Sequence, residues 1–338
     1  MSGRLPVDPD LTLFSFADGC PEPCYCGYRG TRAECPPDPP ADSLSGSSAD
    51  VGAALAEVRG LDLGLTRLRP QAPVLLPPVL AQVDGSAACR GVNRPVVAVT
   101  FGVLRNKIGL TQRSPRRLND ILNVPSATRA GVLLFANDST LEDLWRNRRA
   151  WVNRLALLEP AFVVAPDFSV WAGDHALATR YNLVRSMRFI ELLQDCGLAS
   201  VPHFYWSTPL DLEAVAAWIA ANAPEAIAID MQCMPRPNSA FLSELEWLLD
   251  QLPQPPDLLV AGIDAGANMD TIRRVWPTVS MTRNYVPEVA KHVDLRDLAD
   301  GRSVRERSDD PPPVLLERRL ARAEASAGRR PDVAVLSR

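Results

Sequence analysis

From Pro95 to about residue 284 the chain alternates short, uniformly apolar runs with longer stretches of mixed polarity. The apolar runs are Val96–Phe101, Gly131–Ala136, residues 161–165, Ala199–Trp206, Ala226–Ile229, Leu258–Ile263 and Thr278–Met281. They are rich in β-branched residues and lack the polar alternation of a half-exposed strand, so they predict strands covered on both faces. The stretches between them predict helices over about 139–158, 175–196, 211–222, 239–252 and 270–275. The first of these opens on Ser139/Thr140 with Glu142 or Asp143 behind it, the pattern of a capping box. Strands alternating with helices demand a parallel sheet with right-handed crossovers. Seven such strands, with the proline-broken run Pro73–Leu80 as an eighth, predict an α/β fold of the (β/α)8 TIM-like barrel type. A doubly wound open sheet is the alternative, but no glycine-rich phosphate fingerprint follows the first strand.

The flanks read differently. Residues 1–48 are Pro-, Gly-, Asp- and Ser-rich with no sustained period, and form an irregular segment. Residues 49–94 form a lead-in: a short helix from Asp50 to Gly60, then the run at 73–80, at best a poor or edge strand because proline cannot donate to a ladder. The barrel is assigned to 95–298. Residues 299–338 turn polar and are expected to be a flexible tail with a short amphipathic helix near 313–326.

Composition adds little to this and removes some classes. No apolar run approaches the ~20 residues of a membrane span, and the N-terminus lacks a signal-peptide core. The expectation is a cytoplasmic protein without a membrane partner. A net charge of −4 argues weakly against a general polyanion binder. Four of the seven cysteines, Cys20, Cys24, Cys26 and Cys35, lie within 16 residues. Four thiolates so close could close a structural zinc site or hold an iron–sulfur cluster, although the spacing matches neither a zinc ribbon nor the common cluster runs. Reduced thiols or a local disulfide are the alternatives.

Candidate chemistry sits where the strands end. In a barrel all strand C-termini open on one face, and polar residues there carry catalysis. Phe162-Val163-Val164-Ala165-Pro166-Asp167 is the clearest case, an apolar run stopped by proline with a carboxylate at its tip. By the same logic Asn137, Asp138, His203, Tyr205, Asp230, Asp264, Arg283 and Asn284 are expected at one mouth. Asp167, Asp230 and Asp138 are the candidate catalytic residues, since carboxylates gathered in a cleft push one another's pKa values apart and can divide the work of nucleophile and general acid/base. His203, Tyr205, Asp264, Arg283 and Asn284 are the candidate substrate-binding residues. Against this, an Asp after a strand often caps the next helix, most plausibly Asp138, or sits in a Gly-rich turn, as Asp264 does. The arginines at 105–117, 146–154 and 180–188 suggest either a phosphate-tracking patch or a salt-bridged helix surface. No P-loop and no G-x-S-x-G elbow is present.

Residues 131 to about 263 resemble an uncharacterised bacterial and phage domain family. The likeness rests on Asp138, Leu144-Trp145, Pro166-Asp167-Phe168-Ser169, Tyr181-Asn182, Arg185 and Val201-Pro202 with Trp206. More distantly, the order of segments is similar to the tRNA-guanine transglycosylase superfamily, in which two barrel Asp residues exchange guanine for a 7-deazaguanine base in tRNA or DNA. That resemblance implies Asp138 or Asp167 in the first role and Asp230 as nucleophile. It departs from the family at Met281, which precedes Thr282-Arg283-Asn284 where an Asp would be expected, and in having its cysteines before the barrel. The expected function is therefore a nucleic-acid base-modifying enzyme, with nucleic acid and a purine base as partners. The alternatives are a non-catalytic nucleic-acid-binding or assembly protein with a structural metal site, and a barrel enzyme acting on a small metabolite.

Overall fold

The computed structural model describes residues 48–110, 117–168, 176–231, 237–263, 267–297 and 303–328. The cysteine quartet at 20–35 and Asp264 lie outside them.

Eight parallel strands form one sheet: β1 (Val79–Gln82), β2 (Val96–Thr100), β3 (Arg129–Leu133), β4 (Val163–Val164), β5 (Ser200–Val201), β6 (Ala226–Asp230), β7 (Asp257–Ala261) and β8 (Val279–Arg283). Their order is β5-β4-β3-β2-β1-β8-β7-β6. The two outer strands of that order meet: Ala228 N–H donates to the Pro202 carbonyl at 2.7 Å, and Phe204 N–H donates to the Ala228 carbonyl at 2.9 Å. The sheet is thereby closed into a TIM-like barrel, with His203 paired to Ala228 across the seam.

The run at 73–80 is corrected in both position and rank. Pro77 and Pro78 precede the strand instead of breaking it, and β1 begins at Val79, where every residue can donate. Far from being an edge, β1 lies between β2 and β8. The barrel therefore begins within the 49–94 lead-in.

Helices α1 (Ser48–Glu57), α2 (Phe101–Ile108), α3 (Leu118–Leu122), α4 (Asp138–Arg146), α5 (Arg148–Ala156), α6 (Ala176–Asp195), α7 (Pro209–Asn222), α8 (Ser239–Asp250), α9 (Ala267–Val275), α10 (Val286–Val289) and α11 (Pro312–Gly328) surround it. The helix expected over 139–158 is two helices meeting at Asn147. No described helix is long and apolar enough to cross a membrane.

The polar stretch after 299 does not stand off the barrel. β9 (Val293–Asp297) and β10 (Ser303–Arg307) form an antiparallel hairpin. α11 buries Leu315, Leu316, Leu320 and Ala323 in the outer core and packs against β1, in the β1–β2 region where only a 3-10 turn connects the strands. This is the short amphipathic helix expected near 313–326, and its apolar stripe is interleaved with arginines. Those arginines are paired: Arg318 with Asp294 and Asp310, Arg319 with Glu288.

Before β1, residues 58–74 strap the outside of α6 and α7. Trp218 donates its indole N–H to the Thr66 carbonyl at 3.1 Å, Arg188 donates to the Val58 carbonyl at 2.9 Å, and Gln71 and Ser200 exchange two bonds.

Strand alternation divides the core in two. Outward residues such as Val97, Val132, Val163, Ile227 and Val260 meet the helices. Inward residues Leu80, Ala98, Leu133, Val164, Val201, Ala228 and Leu259 fill the barrel. Near the N-terminal ends of the strands Phe162 takes the space that a side chain on β3 would occupy: a Cβ on Gly131 would lie 2.2 Å from the ring. Gly131→Ala should therefore overpack the barrel and cost about 1–3 kcal/mol, read as a lower denaturant midpoint at unchanged slope. An unaltered midpoint would mean that the ring can move aside.

Candidate functional site

The site is built by three strand ends on one arc of the barrel. β4 ends at Val164 and runs through Ala165 and Pro166 to Asp167. β5 continues through Pro202 to His203 and Tyr205, and β6 ends on Asp230 itself. His203 pairs with Ala228, an inward residue, so its ring faces the barrel interior. Asp230 lies two residues beyond Ala228 and has the same orientation.

Two carboxylates expected at the mouth are joined. Asp167 and Asp230 share a side-chain hydrogen bond. In that contact the bond favours the ionised form of Asp167, so it is Asp230 that donates. Burial is the largest influence on Asp167 and raises its pKa above the ordinary 3.8. The bond to Asp230 pulls it back, and the negative charge of Asp138 adds to the rise. The Asp167 side chain keeps a quarter of its surface open. A carboxyl group that is hard to ionise yet reachable from solvent is what a general acid needs.

His203 completes the arc. Only 1% of it is exposed, and burial pushes its pKa down to about 4, against a smaller upward pull from Asp230. At neutral pH the imidazole is uncharged, so its Nε2, 3.7 Å from Asp167 Oδ1, makes no ion pair. Neither ring nitrogen has a hydrogen-bond partner among the described residues. The ring is held by packing instead, edge-on to Phe135 at 5.5 Å between centroids and tilted against Tyr205 at 6.0 Å.

Asp138 escapes the capping role. Asn137 is the N-cap of α4, its side chain accepting from Thr140 N–H at 3.0 Å. Asp138 stands in the first turn, where the helix dipole favours its charge, near enough for that charge to act on Asp167.

Other expected site residues are committed elsewhere. Asn284 accepts from Val286 N–H at 3.1 Å and shapes the turn into α10. Arg283 lies 3.4 Å from Glu288 and against the Tyr285 ring. Glu288 also pairs with Arg305 and Arg319. The aromatics near the strand ends are mostly core: Phe168 lies under Arg185, Phe204 against Trp218, and Trp206 stacks on Phe241 while donating to Glu244. Most of the described arginines offered as a phosphate patch are likewise engaged within the fold. Arg105 pairs with Asp143, Arg117 with Glu159, Arg148 with Glu57, Arg180 with Asp211, Arg185 with Glu142 and Arg188 with Glu191, while the buried Arg154 donates to the Ile108 carbonyl. Among the described residues, no group of three or more His, Cys, Asp or Glu is arranged to hold a metal ion.

Two mouth residues were not singled out from the sequence, Gln82 and Phe135. Gln82 pairs with Ala98 and Phe135 lies two residues beyond Leu133, so strand parity turns both inward. Parity could have found Gln82 only once β1 was known to start at Val79.

The lowered pKa of His203 has a measurable consequence. Its folded value of about 4 lies below the ordinary 6.5, so the stability it contributes is fully present above pH 6.5 and is lost as pH falls towards 4. The loss is on the order of 3 kcal/mol. Asp167 has the opposite sign: its raised pKa withdraws stability as pH rises above 3.8. His203→Gln should therefore lose less stability than the native chain between pH 7 and pH 4.5 in denaturant titrations. Equal losses would show that the histidine is not the buried base responsible.

Residues 120–273, from α3 to α9, match a family model described as a domain of unknown function (DUF4417). The matched segment is less than half of the chain, but it contains Asp138, Asp167, His203, Tyr205 and Asp230. No curated protein matches the chain. Through that segment the chain is similar to a family defined by its sequence and not by an assigned activity.

Proposed function

We propose that the protein is an enzyme that runs acid–base and nucleophilic chemistry on the Asp167–Asp230 pair, and that its reaction is base exchange at an N-glycosidic bond. The observation that carries the first half is the buried Asp167 carboxyl, its pKa raised, in side-chain contact with Asp230 and 3.7 Å from the buried His203. Such a bond breaks when the departing nitrogen gains a proton and the sugar carbon gains an electron pair. A ligand entering between the two carboxyl groups divides their labour. Asp167, whose burial raises its pKa, is assigned as the acid that protonates the departing base, and Asp230 as the nucleophile at C1′. The C–N bonding pair leaves with the base. An incoming base then attacks C1′, returns its proton to Asp167 and releases Asp230.

The separation of the pair bears on this. Retaining glycosidases hold their carboxyl groups roughly 5–5.5 Å apart and inverting ones further. A hydrogen-bonded pair is closer, so the ligand-free site is a resting state that substrate must open. What supports a guanine-type base as the substrate is the similarity of segment order to the tRNA-guanine transglycosylase superfamily, with DNA or tRNA as the carrier. What supports a small metabolite instead is the use of the neighbouring arginines within the fold, which leaves fewer cations to track a phosphate backbone.

Asp167→Asn and Asp230→Asn should each lower incorporation of labelled guanine or 7-deazaguanine into DNA or tRNA by at least about 10²-fold, with unchanged circular dichroism. Native-level incorporation by both variants would sink the proposal. Incorporation into free nucleosides but not polymers would favour the small-molecule reading.

The cysteine quartet supports a separate expectation, a structural zinc in the N-terminal segment. Metal analysis of the purified chain should find zinc that is lost when Cys24 and Cys26 are changed to Ser. Bound iron with the absorbance of a cluster, or no metal at all, would refute zinc.

A further inference from the structure

Across the barrel from His203 lies a second buried polar side chain with one atom that has no partner among the described residues. Gln82 is the last residue of β1, the strand diametrically opposite β5 in the order of eight. It is 7% exposed and shares the inward face with Leu80. Its neighbour is Thr282 on β8, which is fully buried.

The bonding of that pair fixes which end of the amide faces the chamber. Thr282 Oγ1 lies 2.9 Å from the Leu80 carbonyl, and a hydroxyl has one hydrogen, which it spends there. Towards Gln82 the hydroxyl can therefore only accept. The amide must turn its Nε2 to Thr282, at 3.1 Å, and point its Oε1 away. That oxygen is buried and has no donor among the described residues. A buried acceptor left without a donor is costly, and this one lies on the inward face of the barrel, where a ligand or water can complete it.

We infer that Gln82 is a specificity-determining residue whose side-chain carbonyl accepts a hydrogen bond from an N–H on the edge of the ligand. The ligand is then a neutral ring compound lying across the mouth, its donor edge at Gln82 and its reacting end at His203, Asp167 and Asp230. A lactam-type base has this character. This assignment rests on the base-exchange reading for the ligand's class, but its geometry comes from a different wall of the barrel.

The test uses Gln82→Met, which keeps the length and removes the amide. Thr282 still donates to Leu80, so no buried group is newly stranded. Two measurements are needed. In the ligand-free protein the melting temperature should be unchanged or raised, because an unsatisfied acceptor has gone. Calorimetric binding of free guanine should weaken at least tenfold relative to the native chain. A melting temperature lowered by several degrees would make Gln82 a structural residue and overturn the inference. Equal guanine affinity in both proteins would overturn it as well, and would assign the oxygen to an internal water. Base exchange in the native chain separates this inference from the function proposed above. If exchange proceeds and Gln82→Met binds guanine normally, Gln82 is wrong and the reaction stands. If guanine binding is lost in Gln82→Met and no exchange occurs, the binding role stands and the reaction falls. Failure of the native chain to bind guanine would overturn the inference outright.

Discussion

The mouth of this barrel depends on its thinnest seam. β4 and β5 are two residues each, and the sheet is closed between β5 and β6 by two backbone hydrogen bonds around Ala228. Those bonds set the register of everything above them. With His203 opposite Ala228, Asp230 stands two residues higher on the next strand, while Asp167 follows the end of β4 on the other side. A one-residue slip of β5 would turn His203 outward into the helix layer. Carboxyl groups on strands that are not neighbours are thus brought into hydrogen-bonding contact by backbone bonds to which neither contributes.

So short a seam needs support from outside, and the chain supplies it with polar as well as apolar groups. The strap at 58–74 binds α6, α7 and the start of β5 through Gln71, Gln194, Asn222 and Trp218. Behind β4 and β5, α6 and α7 bury Val184, Met187, Ile190, Leu212, Val215 and Ile219. Burial of such side chains is worth roughly 1.5–3 kcal/mol each, more than the net ~1 kcal/mol of each seam hydrogen bond. The helices hold the strands in place, and the seam bonds choose the register.

Much of this was legible in the sequence because it is periodic. Buried parallel strands leave uninterrupted apolar runs, and all eight strands fall in or beside a run read from the pattern. That Asp167 and Asp230 stand at strand ends on one arc was readable for the same reason, since each ends a run. What escaped was non-periodic or depended on partners far along the chain. Prolines placed before β1 were indistinguishable from prolines within it. The 303–307 strand resembled a solvated segment because its arginines alternate with acids, and α11, expected as a helix, gave no sign of its place against β1 because its arginines find their carboxylates only after the chain has folded back. Arg283 and Asn284 looked available at a strand tip, but Glu288 and the turn into α10 claim them from five and two residues further on, a local competition that strand-end logic ignores.

The contrast between paired and unpaired polar groups says what kind of molecule suits the mouth. On the helix surface most arginines meet a carboxylate or carbonyl, and on the C-terminal side Glu288 and Asp294 gather several of them. In the barrel interior the groups left without partners among the described residues are neutral at physiological pH: the two nitrogens of His203 and the carbonyl of Gln82. The charge that remains there is negative, from the aspartates. An anionic group would enter against that charge and find Arg283 already beside Glu288, whereas a neutral ring with donors at its edge meets acceptors that have been desolvated in advance. On the proposed base-exchange reading, the phosphates of a nucleotide or polymer would stay outside the rim and only the base would enter. Selectivity at such a site comes from the unpaired groups, because a ligand lacking the matching donor leaves their desolvation uncompensated.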